Sequence, residues 1–289
     1  MRTVTVPARA ARNMTVPARA GQRDVRDGSA VGAGTYPFEC GADVVTGWHH
    51  HDLHQLEYAF EGVAQVETAT ARYLLPPQQA AWIPAGVEHC TTLTRVRTLS
   101  VFFDPAFFDQ LSSARVRVLA VAPVLREMVL HARRWPIRRA ASDPGADAFF
   151  GALAHVIAES LDQEAPLSLP ASSDPLVAAA MRVTLDSLAV ATLADVCAAV
   201  NASERTLRRA FLAQAGMPWR QYLLRARLLR AMALLSQPGP TVLAIAMDVG
   251  FESVSGFSRA FRRLTGETPL SYRHRVTAAA PRFRGNVGP

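Results

Sequence analysis

The last third of the chain carries an internal duplication, and no other feature restricts its fold as much. Slid against itself by fifty positions, the region pairs Leu193 with Leu243, Ala194 with Ala244, Ser203 with Ser253 and Arg209 with Arg259. The same offset pairs Ala210 with Ala260, Phe211 with Phe261, Gly216 with Gly266 and Tyr222 with Tyr272. Self-similarity at a fixed period marks a supersecondary unit used more than once. Each copy has a short helix (193–200 and 242–249), a tight turn (201–202 and 250–251), and a serine placed to cap a second helix. A serine oxygen at that place accepts from the free N–H groups of the first turn. The pattern is helix-turn-helix in outline.

Within the second helices, Leu207, Ala210 and Phe211, and then Phe257, Ala260, Phe261 and Leu264, share one face at helical spacing and are core. The opposite face of the first unit carries Arg205 and Arg208, with Arg209 at its margin. Arginine reads guanine O6 and N7 with two hydrogen bonds, or holds phosphate. A solvated charged face would have the same composition; the turn, the cap and the duplication favour a ligand-facing surface. Between the units, 219–235 reads as one helix about 25 Å long, stiff enough to reach toward successive major grooves about 34 Å apart. Charge follows the same division. Residues 171–275 hold 13 Arg against 7 acids (net +6), whereas 36–120 hold 5 Arg against 9 (net −4). The positive surface lies where a polyanion would be met.

At this point residues 176–275 resemble the DNA-binding domain of the AraC/XylS family of transcription regulators. The stretch from Ser203 to Tyr222, and above all VGFESVSGFSRAFRRLTGETPLSYR with its Pro269-x-x-Tyr272 element, carries the resemblance. It implies an all-α domain with two helix-turn-helix units joined by a linker helix, and a double-stranded DNA operator as partner. An activator would add RNA polymerase as a second partner. Carried over by position, the groove-facing residues are Ser203, Arg205, Thr206, Arg208 and Arg209, then Val254, Ser255, Gly256, Ser258, Arg259 and Arg262. Val254 and Gly256 have no side-chain hydrogen bond to offer a base, although Val254 can meet a thymine methyl. The first unit is therefore expected to supply most of the direct reading.

Toward the N-terminus the pattern changes to short apolar stretches broken by Gly and Pro: 55–60, 64–67, 72–75, 80–83 and 98–103. Closely spaced short strands suggest a small β-barrel or sandwich. His49 and His51 alternate by two and so share one side of a strand. His54 follows, and His89 ends the string Pro84-Ala-Gly-Val-Glu-His89. His-x-His followed by Pro-x-Gly-x-x-His is similar to the two motifs of the cupin superfamily, in the form that serves as the sensing domain of many AraC-type regulators. The fold class implied is α+β multidomain, a cupin-like barrel followed by the all-α domain. Converging imidazoles also suit a divalent metal. The acid of the first cupin motif is out of place, however: Glu57 lies six residues after His51, with Gln55 nearer the usual position. The candidate effector or metal residues are His49, His51, His54, Gln55, Glu57 and His89, and a small-molecule effector is favoured over a metal.

The expected organisation is a disordered extension over 1–35, the sensor barrel over 36–120, a helical segment at 121–162 suited to a homodimer interface, a linker at 163–175, the double unit at 176–275 and a disordered tail at 276–289. The extension repeats TVPARA at 5–10 and 15–20, which makes Met14 a candidate start. Cys40, Cys90 and Cys197 have no disulfide or zinc spacing. With no apolar run of about 18 residues and no signal-peptide pattern, a cytoplasmic protein away from the membrane is expected. Cys90 reads as buried filler rather than a redox thiol, and Cys197 lies on an apolar helix face, which disfavours a methyl-accepting repair protein. The chain thus reads as a regulator and not an enzyme. The rival reading is a metal-dependent cupin oxygenase or isomerase carrying a DNA-targeting domain, against which the displaced acid counts.

Overall fold

The structure, a computed structural model, describes residues 14–15, 24–26, 29–39, 43–108, 115–140, 143–162, 164 and 167–278. Its strands are β1 (Met14–Thr15), β2 (Ala33–Glu39), β3 (Asp43–Val45), β4 (His54–Glu67), β5 (Ala71–Leu75), β6 (Gln79–Ile83), β7 (Cys90–Phe103), β8 (Arg117–Ala120) and β9 (Ser168–Pro170), all in one sheet. The long strands β4 and β7 pair antiparallel and organise the rest. Near its start β4 also pairs with β6, which pairs with β8, and the facing end of β7 pairs with β2. Near its end β4 pairs with β5, which pairs with β9, and the facing end of β7 pairs with β3 and through it β1. Two half-sheets therefore share β4 and β7. At their junction the register shifts around Ala59, Glu61 and Val63, with Gly62 at φ 75°. Such a bulge bends and twists a strand pair. It also explains why 55–60 and 64–67 look like separate strands in the sequence.

Strand alternation assigns the faces. On the first half-sheet Leu56, Tyr58, Trp82, Leu99, Val101 and Phe103 point away from the second half-sheet and are buried against α1 (Pro123–Ala132) and α2 (Pro144–Leu161) through Leu125, Val129, Phe150, Leu153 and Ile157. Pro144 starts α2 at the position proline favours, and Asp143 caps it by accepting from Gly145 and Ala146 N–H at 2.8 and 3.2 Å.

Three sequence boundaries shift. Within 1–35, Val25 and Val31 are buried with Leu53, Phe102 and Ile137, and β2 begins at Ala33; both TVPARA copies lie outside the described residues apart from Thr15. Within the expected linker, Leu167 and Leu169 are buried and Ser168–Pro170 pairs with β5; a proline is tolerated there because β9 ends the sheet. At the C-terminus the last helix continues to Ala278 with Val276 buried, and the remaining tail lies outside the described residues.

The C-terminal helices are α3 (Pro175–Asp186), α4 (Leu193–Ala199), α5 (Glu204–Ala215), α6 (Trp219–Leu235), α7 (Val242–Asp248), α8 (Val254–Thr265) and α9 (Pro269–Ala278). Ser203 and Ser253 cap α5 and α8, accepting from Thr206 and Gly256 N–H at 3.2 Å each. Gly216 and Gly266 end them at φ 67° and 80°, the left-handed conformation that favours glycine. The first helices of the units repeat at forty-nine instead of fifty. Thr192 caps α4 and Thr241 caps α7, and buried Val196 and Cys197 correspond to Ile245 and Ala246. One extra residue in the second turn accounts for the shift. Leu193 and Leu243, paired by the sequence offset, are 8% and 54% exposed and are not equivalent.

Candidate functional site

A cavity of about 370 Å³ lies between the two half-sheets. Gln55 and Glu57 of β4, Thr98, Ser100 and Phe102 of β7, and Tyr36 and Phe38 of β2 reach it from the first half-sheet at period two. Thr46, His49, His89, Thr91 and Leu93 reach it from the second, and His51, Asp24, Val25 and Arg138 complete the lining. His49 and His89 face one another as an isolated antiparallel bridge, each N–H donating to the other's carbonyl at 2.9 Å. The imidazoles of His49, His51 and His89 come together, with ring centroids 4.4 to 6.2 Å apart. The Nδ1 atoms of His49, His51 and His89 bond to the carbonyls of Gly47, Leu53 and Val87 at 2.9, 2.6 and 2.8 Å, which fixes all three rings.

Five of the six candidate residues therefore converge. His54 does not line the cavity: its Nδ1 accepts from Ala85 N–H at 2.9 Å and its ring packs on Trp82 and Phe108. It sits on the opposite face of β4 from Gln55 because successive side chains alternate.

Gln55 separates the imidazoles from the carboxylate. Its amide meets His51 Nε2 at 2.9 Å on one side, and Glu57 at 2.9 Å and Ser100 at 3.0 Å on the other, while the Ser100 hydroxyl donates to Glu57. Burial lowers the His51 pKa and raises that of Glu57. Gln55 Oε1 faces His51 Nε2, and the Gln55 Nε2 donates to both Glu57 and Ser100. Both nitrogens of His51 are then engaged within the protein. Among the described residues no group of three His, Cys, Asp or Glu side chains is set to hold a metal ion. The donor set does not fit the divalent metal raised by the sequence, since His51 Nε2 is already engaged by Gln55, which lies between that ring and Glu57.

The two titrations act at opposite ends of the pH scale. A raised Glu57 contributes stability below its unfolded value that is lost as pH rises through its folded pKa; a lowered His51 contributes stability above its unfolded value that is lost as pH falls through its folded pKa. Glu57→Gln is expected to melt higher than the parent at pH 8, with the difference shrinking toward pH 4.5. His51→Gln should flatten the loss of stability below pH 6.5. Melting curves across this range that run parallel to the parent's would contradict both assignments.

Cys90 and Cys197 are buried, and burial pushes both thiols up, away from the reactive thiolate. Cys40 lies outside the described residues.

On the helical side, Ser203, Arg205, Thr206, Arg208 and Arg209 are exposed along the first turns of α5. Arg208 pairs with Glu204 at 2.8 Å, an exposed i,i+4 pair, whereas Arg205 and Arg209 have no ion pair among the described residues. On α8, Ser255, Arg259 and Arg262 are exposed, while Val254, Gly256 and Ser258 are half-buried. At fifty positions apart, Arg205 and Arg208 become Ser255 and Ser258, and only Arg209 keeps its arginine, as Arg259. The basic residues of α8, including Arg263, which the sequence reading passed over, are exposed in its later turns. α6 joins the units over the 17 residues expected of it.

Two family models match the chain. One described as a helix-turn-helix domain matches residues 196–275, and one described as an AraC-like ligand binding domain matches residues 32–169. The chain belongs to the AraC-type transcription regulators. It is 29% identical over 242 residues to the HTH-type transcriptional regulator NimR of Escherichia coli K12, covering 81% of this chain and 84% of that protein. It is also 38% identical over 112 residues to the HTH-type transcriptional activator RhaR of Salmonella heidelberg SL476, covering 36% of this chain and 40% of that protein. A solved AraC-type DNA-binding-domain protein from Chromobacterium violaceum overlaps 36% of this chain and 94% of its own at 28% identity, with a TM-score of 0.35. The AraC-type assignment rests on the two matched domains, and the relatives named are transcription regulators. No helix among the described residues is long and apolar enough to cross a membrane.

Proposed function

We propose that this AraC-type regulator reads its operator mainly through Arg205 of α5, with Arg208 able to join once Glu204 is displaced, and that Arg209, like its counterpart Arg259 and the rest of α8, chiefly holds phosphate. The observation that carries this reading is the placement of charge. A recognition helix meets base edges with its N-terminal residues; α5 has arginines there, and α8 has serines there with arginines later. An exposed Glu–Arg pair is worth about 0–1 kcal/mol, so it poses little obstacle to Arg208. Ser203 is spent as a cap, with its hydroxyl also 2.9 Å from that of Thr206, which leaves these two supporting roles.

The ligand of the sensor domain, in this reading, is a small organic molecule held between the half-sheets. The cavity falls in the size range of small-molecule sites and mixes aromatic walls with a few fixed polar groups. A path to the helices supports control of operator affinity: Glu57 lies beside Ala81 of β6, β6 follows Gln78, and Gln78 is bonded reciprocally to Arg275 of α9 at 2.8 and 2.7 Å. A second copy, RNA polymerase where the outcome is activation, and a cytoplasmic setting belong to the same proposal. Binding rather than turnover fits a cavity whose histidines, amide and carboxyl are tied to protein partners.

The test compares Arg205→Ala with Ser255→Ala across a library of operator variants. Arg205→Ala is expected to lose about 1–3 kcal/mol of discrimination at one base pair, whereas Ser255→Ala leaves the preference close to the parent's. Equal relaxation by both variants would sink the unequal-reader assignment.

A further inference from the structure

The two helix-turn-helix units meet at a polar joint built on Arg227, midway along α6. Its guanidinium donates through Nε to Leu188 O at 3.0 Å, through Nη2 to Ala189 O at 2.9 Å and through Nη1 to Gly250 O at 2.9 Å. Leu188 and Ala189 lie between α3 and α4, at the entrance to the first unit; Gly250 is the turn of the second. One side chain thus gathers backbone from both units and from the helix that joins them. The backbones also touch directly. Gly250 has φ +87°, and a Cβ there would lie 2.2 Å from Ala189 O, so no larger residue fits without separating the units.

Arginine suits this joint because its planar guanidinium presents donors in a fixed fork, whereas a lysine ammonium offers rotatable donors on one atom. α6 sets how far apart the units stand. A rod with apolar contacts on both sides still permits each unit to roll about it, and the three directed hydrogen bonds remove that freedom. We propose that Arg227 is a positioning residue that fixes the half-site spacing this regulator accepts, by holding α5 and α8 at one separation and angle along the duplex. The inference rests on the assignment of α5 and α8 to DNA.

The experiment enriches duplexes from a random-sequence library with the full wild-type chain, footprints the best one, and rebuilds it with one or two base pairs added or removed between the protected segments. Wild type is expected to lose about tenfold or more in affinity for each altered spacing, comparable to a mismatched base pair. Arg227→Ala is expected to bind the parent duplex about tenfold more weakly and to distinguish the spacings by less than about threefold, with Arg227→Lys in between. Gly250→Ala strains the same joint from the other side and should likewise blunt the spacing preference while leaving Arg205 and Arg209 in place. Melting curves establish which variants are folded; should Arg227→Ala fail to fold, Arg227→Lys and Gly250→Ala are judged by the same readout. Folded joint variants that keep the wild-type spacing preference overturn the proposal. A wild-type chain that enriches no duplex overturns the DNA-reading assignment itself, and this inference with it.

Discussion

Phe261→Ala is expected to cost about 3–5 kcal/mol of stability and to abolish duplex binding at 37 °C, and Phe211→Ala to do the same. Both rings are fully buried, and each meets the tyrosine that follows it edge-on: Phe211 and Tyr222 at 5.3 Å, Phe261 and Tyr272 at 5.5 Å between centroids. Truncating a buried phenylalanine removes its transfer free energy and leaves a cavity that the surroundings fill only in part. Each ring belongs to a second helix, so its loss loosens the element that must stay rigid on DNA. Denaturant titration of the full chain measures the change. Leu243→Ala is the contrasting variant. Fixed-offset alignment pairs Leu243 with buried Leu193, but its side chain is exposed, so a change within about 0.5 kcal/mol is expected. A large loss at Leu243, or a loss under about 1 kcal/mol at Phe261, would reject the packing of the second unit.

That contrast shows where the sequence is legible. The second helix of each unit can be read directly, because a capping serine, a left-handed glycine and the Phe–Tyr pair are local requirements that recur at one offset. The first helices slip by one residue because their turns differ in length, and small apolar residues such as Ala194 and Ala244 match at either register. In the sensor domain, β4 and β7 are recognisable as strand sequence, yet the bulge at Glu61–Val63 makes one strand look like two. The residues opposite the histidines escaped notice for a different reason. Thr98, Ser100 and Phe102 alternate with Leu99, Val101 and Phe103, a pattern that in an open sheet marks a solvent face. Only the second half-sheet turns that face into a cavity wall. His54 shows the converse: a residue type associated with the site, placed by strand parity on the wrong side of β4.

Arg205→Glu combined with Arg209→Glu is expected to reduce affinity for a selected operator by about a thousandfold or more while leaving the melting curve unchanged. Both side chains are exposed, and neither forms an ion pair among the described residues, so their replacement breaks no contact that holds the fold. Each arginine that contacts a base contributes about 1–3 kcal/mol, and reversing its sign adds repulsion from the phosphates. The salt dependence separates the two roles. If Arg205 reads a base while Arg209 holds phosphate, the double variant loses sequence preference and its log-affinity against log-salt slope falls by about 1. Arg259→Glu with Arg262→Glu on α8 should lower the slope by about 2 and leave the base preference intact, since these residues follow the first turns that meet base edges. Binding that survives the α5 reversal but not the α8 reversal would exchange the roles of the two helices.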